Sequence, residues 1–567
     1  MRRILTRLAI AAAGVALVVL AALPRAARQT AAPPASTVRG AYHIHSDRSD
    51  GSGTLDEIAA AASRAGLQFI ILTDHGDGTR QPDPPSYRHG VLTIDAVELS
   101  TTGGHYVVLG MPASPYPIAG TPESVIEDVR RFGGFGIAAH PGSPRESLRW
   151  TAWEANFDGL EWLNADSEWR DESRLPIIRT LLTYALRPPE SMARLLDRPD
   201  HVVRRWDGAL AARRVTAIAA ADAHARLGYD ETADPDRSWI HLPLPGYASS
   251  FRTFSNHVVL EAPLSGQAAA DADRLVRAIQ GGRLYTVIDA LATPGRLSFT
   301  ATSGAAAALM GDELPITGDV LLRASAQAPP GTTLVLLKNG QRVHEVTDGI
   351  LETNGGQDTA AYRVEAYTSD GPGGPSIPWM VSNPIYAGFS RSAPVPAVET
   401  PAVYRIPARL GETAAEHGEK DTSRFERPPV IDPRSRRLAG EPPLAWTFEL
   451  AGGTPAGQFA AIAMPISGGL TDFERVRFTV SSAAPIRAWV QLRAPTGDLD
   501  RWGMTFYADH QPRVVELPLR AFRPIGHTSS EQPPLDQITS LLFVVDTLNT
   551  RPDTRGSLMI SDVAFVR

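Results

Sequence analysis

Seven short apolar runs alternate with helix-forming segments between Val38 and Ala225, and this alternation restricts the fold more than any other feature. The runs are RGAYHIH, LQFIILTD, VLTIDAVEL, HYVVLG, GFGIAAH, FDGLEWLN and VTAIAAAD. Each is β-branched or apolar and bounded by Gly, Asp or Pro, the signature of a strand buried on both faces. Between the first two, TLDEIAAAASRAG offers Thr54 as helix cap, Glu57 three residues on to complete a capping box, and Gly66 as a stop. TPESVIEDVRRFGG repeats that arrangement. Alternating strands and helices predict an α/β fold with a parallel sheet. Seven strands predict a closed or nearly closed (β/α) barrel over residues 38–294. Asp171 to Arg213 reads as a helical insertion before the last strand.

Beyond Ala292 the texture changes to short strands with hairpin signals such as Asn339-Gly340. Residues 295–389 are expected to form an Ig-like β-sandwich. Residues 390–443, rich in Pro, Arg and Glu and without periodicity, are expected to be a linker. Residues 444–567 are expected to form a second β-sandwich. A chain of 567 residues with 43% apolar content can supply several such cores. The net charge of −7 is spread along the chain, and no basic stripe points to nucleic acid.

The first 37 residues read separately. MRRILTR is a positive start, and Leu8 to Pro24 carry no charge. This is the pattern of an exported protein, with Arg2, Arg3 and Arg7 held in the cytoplasm and the rest placed in the periplasm, secreted, or anchored to the inner membrane facing outward. A cleaved signal peptide and a retained membrane anchor both fit. The chain has no cysteine, which suits export and excludes thiolate metal sites and Cys nucleophiles.

The apolar runs end on one kind of chemistry. His43 and His45 close the first, with Asp50 on the loop that follows; Asp74 and His75 close the second. Glu98 lies near the end of the third, His105 starts the fourth, His140 closes the fifth, and Asp222 and His224 close the last. Residues two apart on a strand share a face, so His43 with His45 and Asp222 with His224 point together. Strand ends converge on one face of a parallel barrel. Imidazole with carboxylate suits Zn²⁺, Mn²⁺ or Fe²⁺. Asp74 aside, these nine ligands exceed the needs of one ion and fit two or three divalent transition metal ions.

HIHSDRSDGS, TLDEIAAAASRAGLQFIILTDHGD, VELSTTGGHYVVLG, AAHPGSP and AADAHA closely resemble, in order, the motifs of the polymerase and histidinol phosphatase (PHP) superfamily. The resemblance covers about residues 38–292. It implies a distorted seven-stranded (β/α) barrel and a metal-dependent phosphoesterase with a di- or trinuclear centre. Carried over residue by residue, it implies one ion held by His43, His45, Glu98 and Asp222, a second by Asp50, His75 and His224, and a third by Glu98, His105 and His140, with Glu98 bridging. GGRLYTVIDALA and WMVSNPIYAG look like the exported, carbaryl-hydrolase-like branch of that superfamily. GSLMISDVAFV resembles the end of galactose-binding-like or carbohydrate-binding jelly rolls.

Such a centre lowers the pKa of a bridging water toward neutrality, so hydroxide is the expected nucleophile and no protein nucleophile is required. Ser46 reads as a loop cap. Arg145 and Arg226 stand beside ligands and are the candidates to bind a substrate anion. For Trp150, Trp153, Trp162 and Trp169, core packing and a substrate wall are both open. The expected activity is hydrolysis of a small phosphoester outside the cytoplasm. Carbamate or carboxylic ester hydrolysis on the same centre is the first alternative. A non-catalytic protein that contacts glycan or cell envelope through its C-terminal domain is the second.

Overall fold

The computed structural model describes residues 36–228, 241–242, 244–293, 295–368, 377–389, 402–405, 413–426, 443–467, 469–497 and 499–567, with the isolated positions 14, 27 and 28. They fall into two compact units, residues 1–112 with 121–392, and residues 113–120 with 393–567. The expected signal peptide or membrane anchor lies almost wholly outside the described residues. No helix among those described is long and apolar enough to cross a membrane.

Each of the seven runs forms a strand, and one forms two: β1 (Thr37–Tyr42), β2 (Phe69–Leu72), β3 (Val91–Asp95), β4 (Val97–Thr101), β5 (Gly104–Leu109), β6 (Phe135–Ala138), β7 (Gly159–Asn164) and β8 (Thr216–Ala220). They do not make the expected seven-stranded (β/α) barrel. Among the described residues strands account for 39% and helices for 17%, and the strands lie in separate sheets of mixed direction. β1, β2 and β3 are parallel neighbours in one sheet. The other has six strands in the order β8-β7-β6-β5-β4 followed by the short His75–Gly76, which is parallel to β4. The split falls inside one apolar run: β3 pairs with β2, whereas β4, beyond Ala96, pairs with β5. No helix separates β3, β4 and β5, and β5 is antiparallel to both of its neighbours. Only Thr102 and Gly103 join β4 to β5, and a link that short makes a hairpin, never a parallel crossover. Beside β1, β9 (Ser255–Val259) and then β10 (Leu284–Val287) continue the first sheet in antiparallel fashion. The bridge from Ile44 to Ala223, with the Ala221 N–H donating to the Tyr42 carbonyl and the Ala223 N–H to the His43 carbonyl, ties the two sheets together.

The helices obey their local signals. In α1 (Leu55–Ala65), the Thr54 side chain accepts from the Glu57 N–H and Glu57 answers in a capping box, while Gly66 closes the helix at φ 76. Ile58, Ala59, Ala61 and Ala62 of α1 are buried with Ile70 and Leu72 of β2. In α2 (Pro122–Arg131), Thr121 caps with Pro122 in the first turn. The segment expected as a helical insertion contains α3 (Arg174–Tyr184) and α4 (Asp200–Leu210).

Residues 295–389 are not the free-standing Ig-like sandwich expected. β10 pairs with Met380–Ser382, so strands from this region extend the first sheet to twelve. Arg296–Ser303, Ala306–Leu309, Leu321–Gln327 and Leu351–Asn354 form a four-stranded sheet of their own. The hairpin at Asn339-Gly340 forms as expected, both residues left-handed (φ 50 and 78) between the paired strands Thr333–Lys338 and Gln341–Thr347.

The segment expected as a linker contains three strands, Ala402–Arg405, Ala414–His417 and Thr422–Glu426, each paired within the second unit. That unit consists of two six-stranded antiparallel sheets. Trp446, Phe478, Phe506, Phe543 and Phe565 share its core.

Candidate metal centre

All nine expected ligands meet in the first unit. The backbone turns sharply at three of them: His43, just past β1, His140, past β6, and Asp222, past β8, have φ of 63, 39 and 42. That left-handed region is costly for residues with a Cβ and is kept where geometry at a site demands it. Here it turns side chains at the strand ends inward.

Glu98 stands in the middle. Its Oε2 lies 3.2 Å from His43 Nε2, 3.2 Å from His45 Nε2 and 3.3 Å from His75 Nδ1. Its Oε1 lies 2.9 Å from both His105 Nδ1 and His140 Nε2. Asp50 gathers the outer group, 3.1 Å from His45 Nδ1, 3.1 Å from His224 Nε2 and 3.6 Å from His75 Nε2. His224 stacks on His45 with ring centroids 4.2 Å apart.

The inner group tests the fit of a cation. His43 Nδ1 is 2.5 Å from Glu161 Oε1 and donates to it, so its Nε2 presents a lone pair. His45 Nδ1 faces Asp50, and its Nε2 presents a second lone pair 3.1 Å from the first. Asp222 Oδ1 is 3.4 and 3.5 Å from those two nitrogens, buried and without a hydrogen-bond partner among the described residues. With Glu98 Oε2, four acceptor atoms converge with no proton to share. The two imidazole nitrogens lie 3.1 to 3.5 Å from each other and from each carboxylate oxygen, a spacing that suits atoms sharing one cation at about 2 Å. In the absence of a cation the cluster draws protons instead. Burial opposes charge on His43, yet Asp222, Glu161 and Glu98 outweigh it and raise its pKa well above the usual value. His140 is likewise pushed up to about 9, against its burial, by Glu98 and Asp222. The carboxylates of Glu98 and Asp222 are held well below their usual range, although burial opposes this, chiefly by His43 and His140. Cation binding therefore releases protons. The donor set, imidazole with carboxylate, fits a divalent transition metal cation.

Two residues outside the expected set hold this geometry. Glu161, in the middle of β7 and 1% exposed, accepts from the His140 N–H with the oxygen not used by His43. Asn164 Nδ2 donates to Glu161 Oε2 and to Asp222 Oδ2. A carboxylate inside the apolar run FDGLEWLN was the available signal, since a buried charge in a strand needs a partner. Asp74 turns away from the cluster and accepts from the Ser46 N–H and the hydroxyls of Ser46 and Ser49. Ser46 is thus a loop cap.

The cluster floors a cavity of about 380 Å³. Its walls include Arg145, Arg226, Trp169 and Arg170, and residues of α3. Arg145 forms no ion pair among the described residues; burial and the neighbouring Arg170 disfavour its charge, so an anion there would be welcome. Arg226 reaches the Asp50 carbonyl at 3.4 Å. Trp150 and Trp162 are core residues at 0% and 2% exposure, whereas Trp169 faces the cavity.

No family model matches this chain. An uncharacterized protein of Methanocaldococcus jannaschii is 30% identical over 111 residues, which are 19% of this chain and 64% of that protein. The chain therefore spans just under two thirds of the length of the curated relative it matches. Among solved structures, a family 11 carbohydrate-binding module of a cellulosomal cellulase of Clostridium thermocellum is similar at 15% identity and a TM-score of 0.23, covering 30% of this chain and 95% of the module. A family 30 carbohydrate-binding module is similar at 13% identity and a TM-score of 0.18, covering 22% and 75%. An exo-beta-agarase is similar at 8% identity and a TM-score of 0.20, covering 29% of this chain and 25% of the agarase.

Proposed function

We propose that the first unit is a metal-dependent hydrolase of small phosphoesters, the activity that the PHP resemblance implies. The observation that carries this reading is the convergence of six imidazoles, Asp50 and Asp222 around Glu98 at the floor of a cavity. When bound, the ions supply Lewis-acid charge and an activated water. The protein's own groups do the rest. Glu161 keeps the His43 Nε2 lone pair turned inward, and Asn164 ties Glu161 to Asp222. His75, 37% exposed at its side chain, and Asp50 and His224, at 24% and 22%, form the open side of the cluster, while His43 and Glu98 form its closed floor. Arg145 and Arg226 are placed to hold a substrate anion, which favours a phosphate over a neutral carbamate or ester. In the reaction the oxygen of water bonds to phosphorus as the ester P–O bond breaks, and the proton leaves with the alcohol.

The test is turnover of p-nitrophenyl phosphate against 1-naphthyl esters and carbamates by the Mn²⁺- or Zn²⁺-loaded protein, with metal counted by elemental analysis. Two to three equivalents per chain and phosphate ester turnover are expected. Less than one equivalent after reconstitution overturns the reading, and turnover of the carbamate alone replaces it with the alternative. For the second unit we propose a glycan contact. Its described aromatic side chains are all buried or half-buried, so such a contact would rest on hydrogen bonds more than on ring stacking. Retardation in gels containing soluble β-glucan tests it, and unchanged migration across a glycan panel removes it.

A further inference from the structure

The helix α3 is apolar on two faces. Ile177, Leu181 and Tyr184 line the cavity above the cluster together with Met192 and Leu195. Leu175, Ile178 and Leu182, spaced to share the opposite face, are 56%, 52% and 73% exposed, and Leu186 beyond the helix is 37% exposed. A helix that is apolar all round is ordinarily buried. Here one side covers a cavity and the other meets solvent. Leu181 belongs to both, lining the cavity at 49% exposure, so α3 carries apolar surface on its cavity side and on its outer side. The segment Ser173 to Arg187 holds Arg174, Arg179 and Arg187 and no acidic residue. Exposed Leu and Ile with interspersed Arg are the composition of a helix lying in the interface of an anionic lipid surface.

We propose that the substrate is an amphiphilic phosphate monoester, its headgroup at the metal centre and its alkyl tail beneath α3, and that the outer face of α3 docks on the anionic lipid surface that carries it. This rests on the hydrolase reading above and adds the class of substrate. The cavity accounts for both ends of such a molecule. Its lining supplies Arg145 and Arg226 for the phosphate and Ile177, Leu181, Met192 and Leu195 for the tail.

Two measurements on the full, metal-loaded chain test it. The first compares octyl phosphate with methyl phosphate. The expected kcat/KM is at least tenfold higher for octyl phosphate, each buried methylene adding to binding, and Leu181→Ala should reduce that ratio several-fold. Equal values for the two esters overturn the tail pocket while leaving the hydrolase reading intact; failure on both esters and on p-nitrophenyl phosphate removes the hydrolase reading itself. The second uses the absence of cysteine. Leu182→Cys carries a single environment-sensitive fluorophore, and vesicles of phosphatidylcholine with phosphatidylglycerol are added. A blue shift with at least twofold brightening, quenched by spin-labelled lipid, is expected. An unchanged spectrum overturns docking through α3, whatever the first 30 residues do with the same vesicles.

Discussion

His43, one residue past β1, and His257, inside the adjacent strand β9, are both fully enclosed at 0% exposure, yet they have opposite chemistry. His257 has no hydrogen-bond partner at either nitrogen among the described residues and packs against Tyr285 with centroids 5.0 Å apart. Burial, with Arg39 adding repulsion, pushes its pKa down to about 3. His43 is equally enclosed, but Asp222, Glu161 and Glu98 around it reverse the effect of burial. The carboxylates within reach, more than enclosure itself, decide whether a core histidine is an inert ring or a ligand.

That contrast can be broken most severely at Glu98. Glu98→Gln keeps the volume but removes the charge that five imidazoles face. It is expected to lose at least one equivalent of metal and to lower kcat by roughly 10²-fold or more. Full metal content with near-normal turnover would leave Glu98 a structural carboxylate. Next is Glu161→Gln, which weakens the acceptor that orients His43. The expected loss is about 10- to 100-fold in metal affinity, measured by competition with a chelating dye. An unchanged affinity would mean that the His43 tautomer is set elsewhere. His105→Ala should be milder than Glu98→Gln in both metal content and kcat, because it removes one ligand and no charge.

His257 gives the smallest effect and the cleanest control. Its folded pKa lies below the ordinary histidine value, so the unfolded chain binds the extra proton. Stability therefore falls as the pH drops below about 6.5 and continues to fall toward about 3. At pH 5 the cost is about 2 kcal/mol. His257→Leu should remove most of this acid sensitivity in thermal melts at pH 5 and 7 while leaving metal content untouched. A loss of metal in that variant would contradict the division drawn between the two histidines.

The same contrast marks what could be read from the sequence. The clustered His, Asp and Glu residues were legible because they punctuate the ends of apolar runs, where polar residues of one type recur. Glu161 was not, because it sits in the middle of FDGLEWLN, where the surrounding Leu and Trp read as core. The strands themselves were legible from local composition. Their partners were not, since pairing depends on residues far away. VLTIDAVEL reads as one strand, but Ala96 separates two that join different sheets. The tight β4–β5 hairpin, and the absence of a helix on either side of β4, undid the parallel barrel. The strands Ala414–His417 and Thr422–Glu426 were hidden for a similar reason, as charged residues and short length mask pairing supplied by the neighbouring strands.

The left-handed backbone at His43, His140 and Asp222 bears on how such a protein can change. Each of these positions holds a side chain in a conformation that glycine adopts freely. Replacing any one with glycine would relax local strain while erasing a proposed ligand. Selection for heat resistance alone, with no demand on activity, would therefore push this chain toward inert descendants, and a library screened only for thermal survival should be enriched in glycine at 43, 140 and 222. Enrichment of that kind would mark the strained ligands without any knowledge of the substrate.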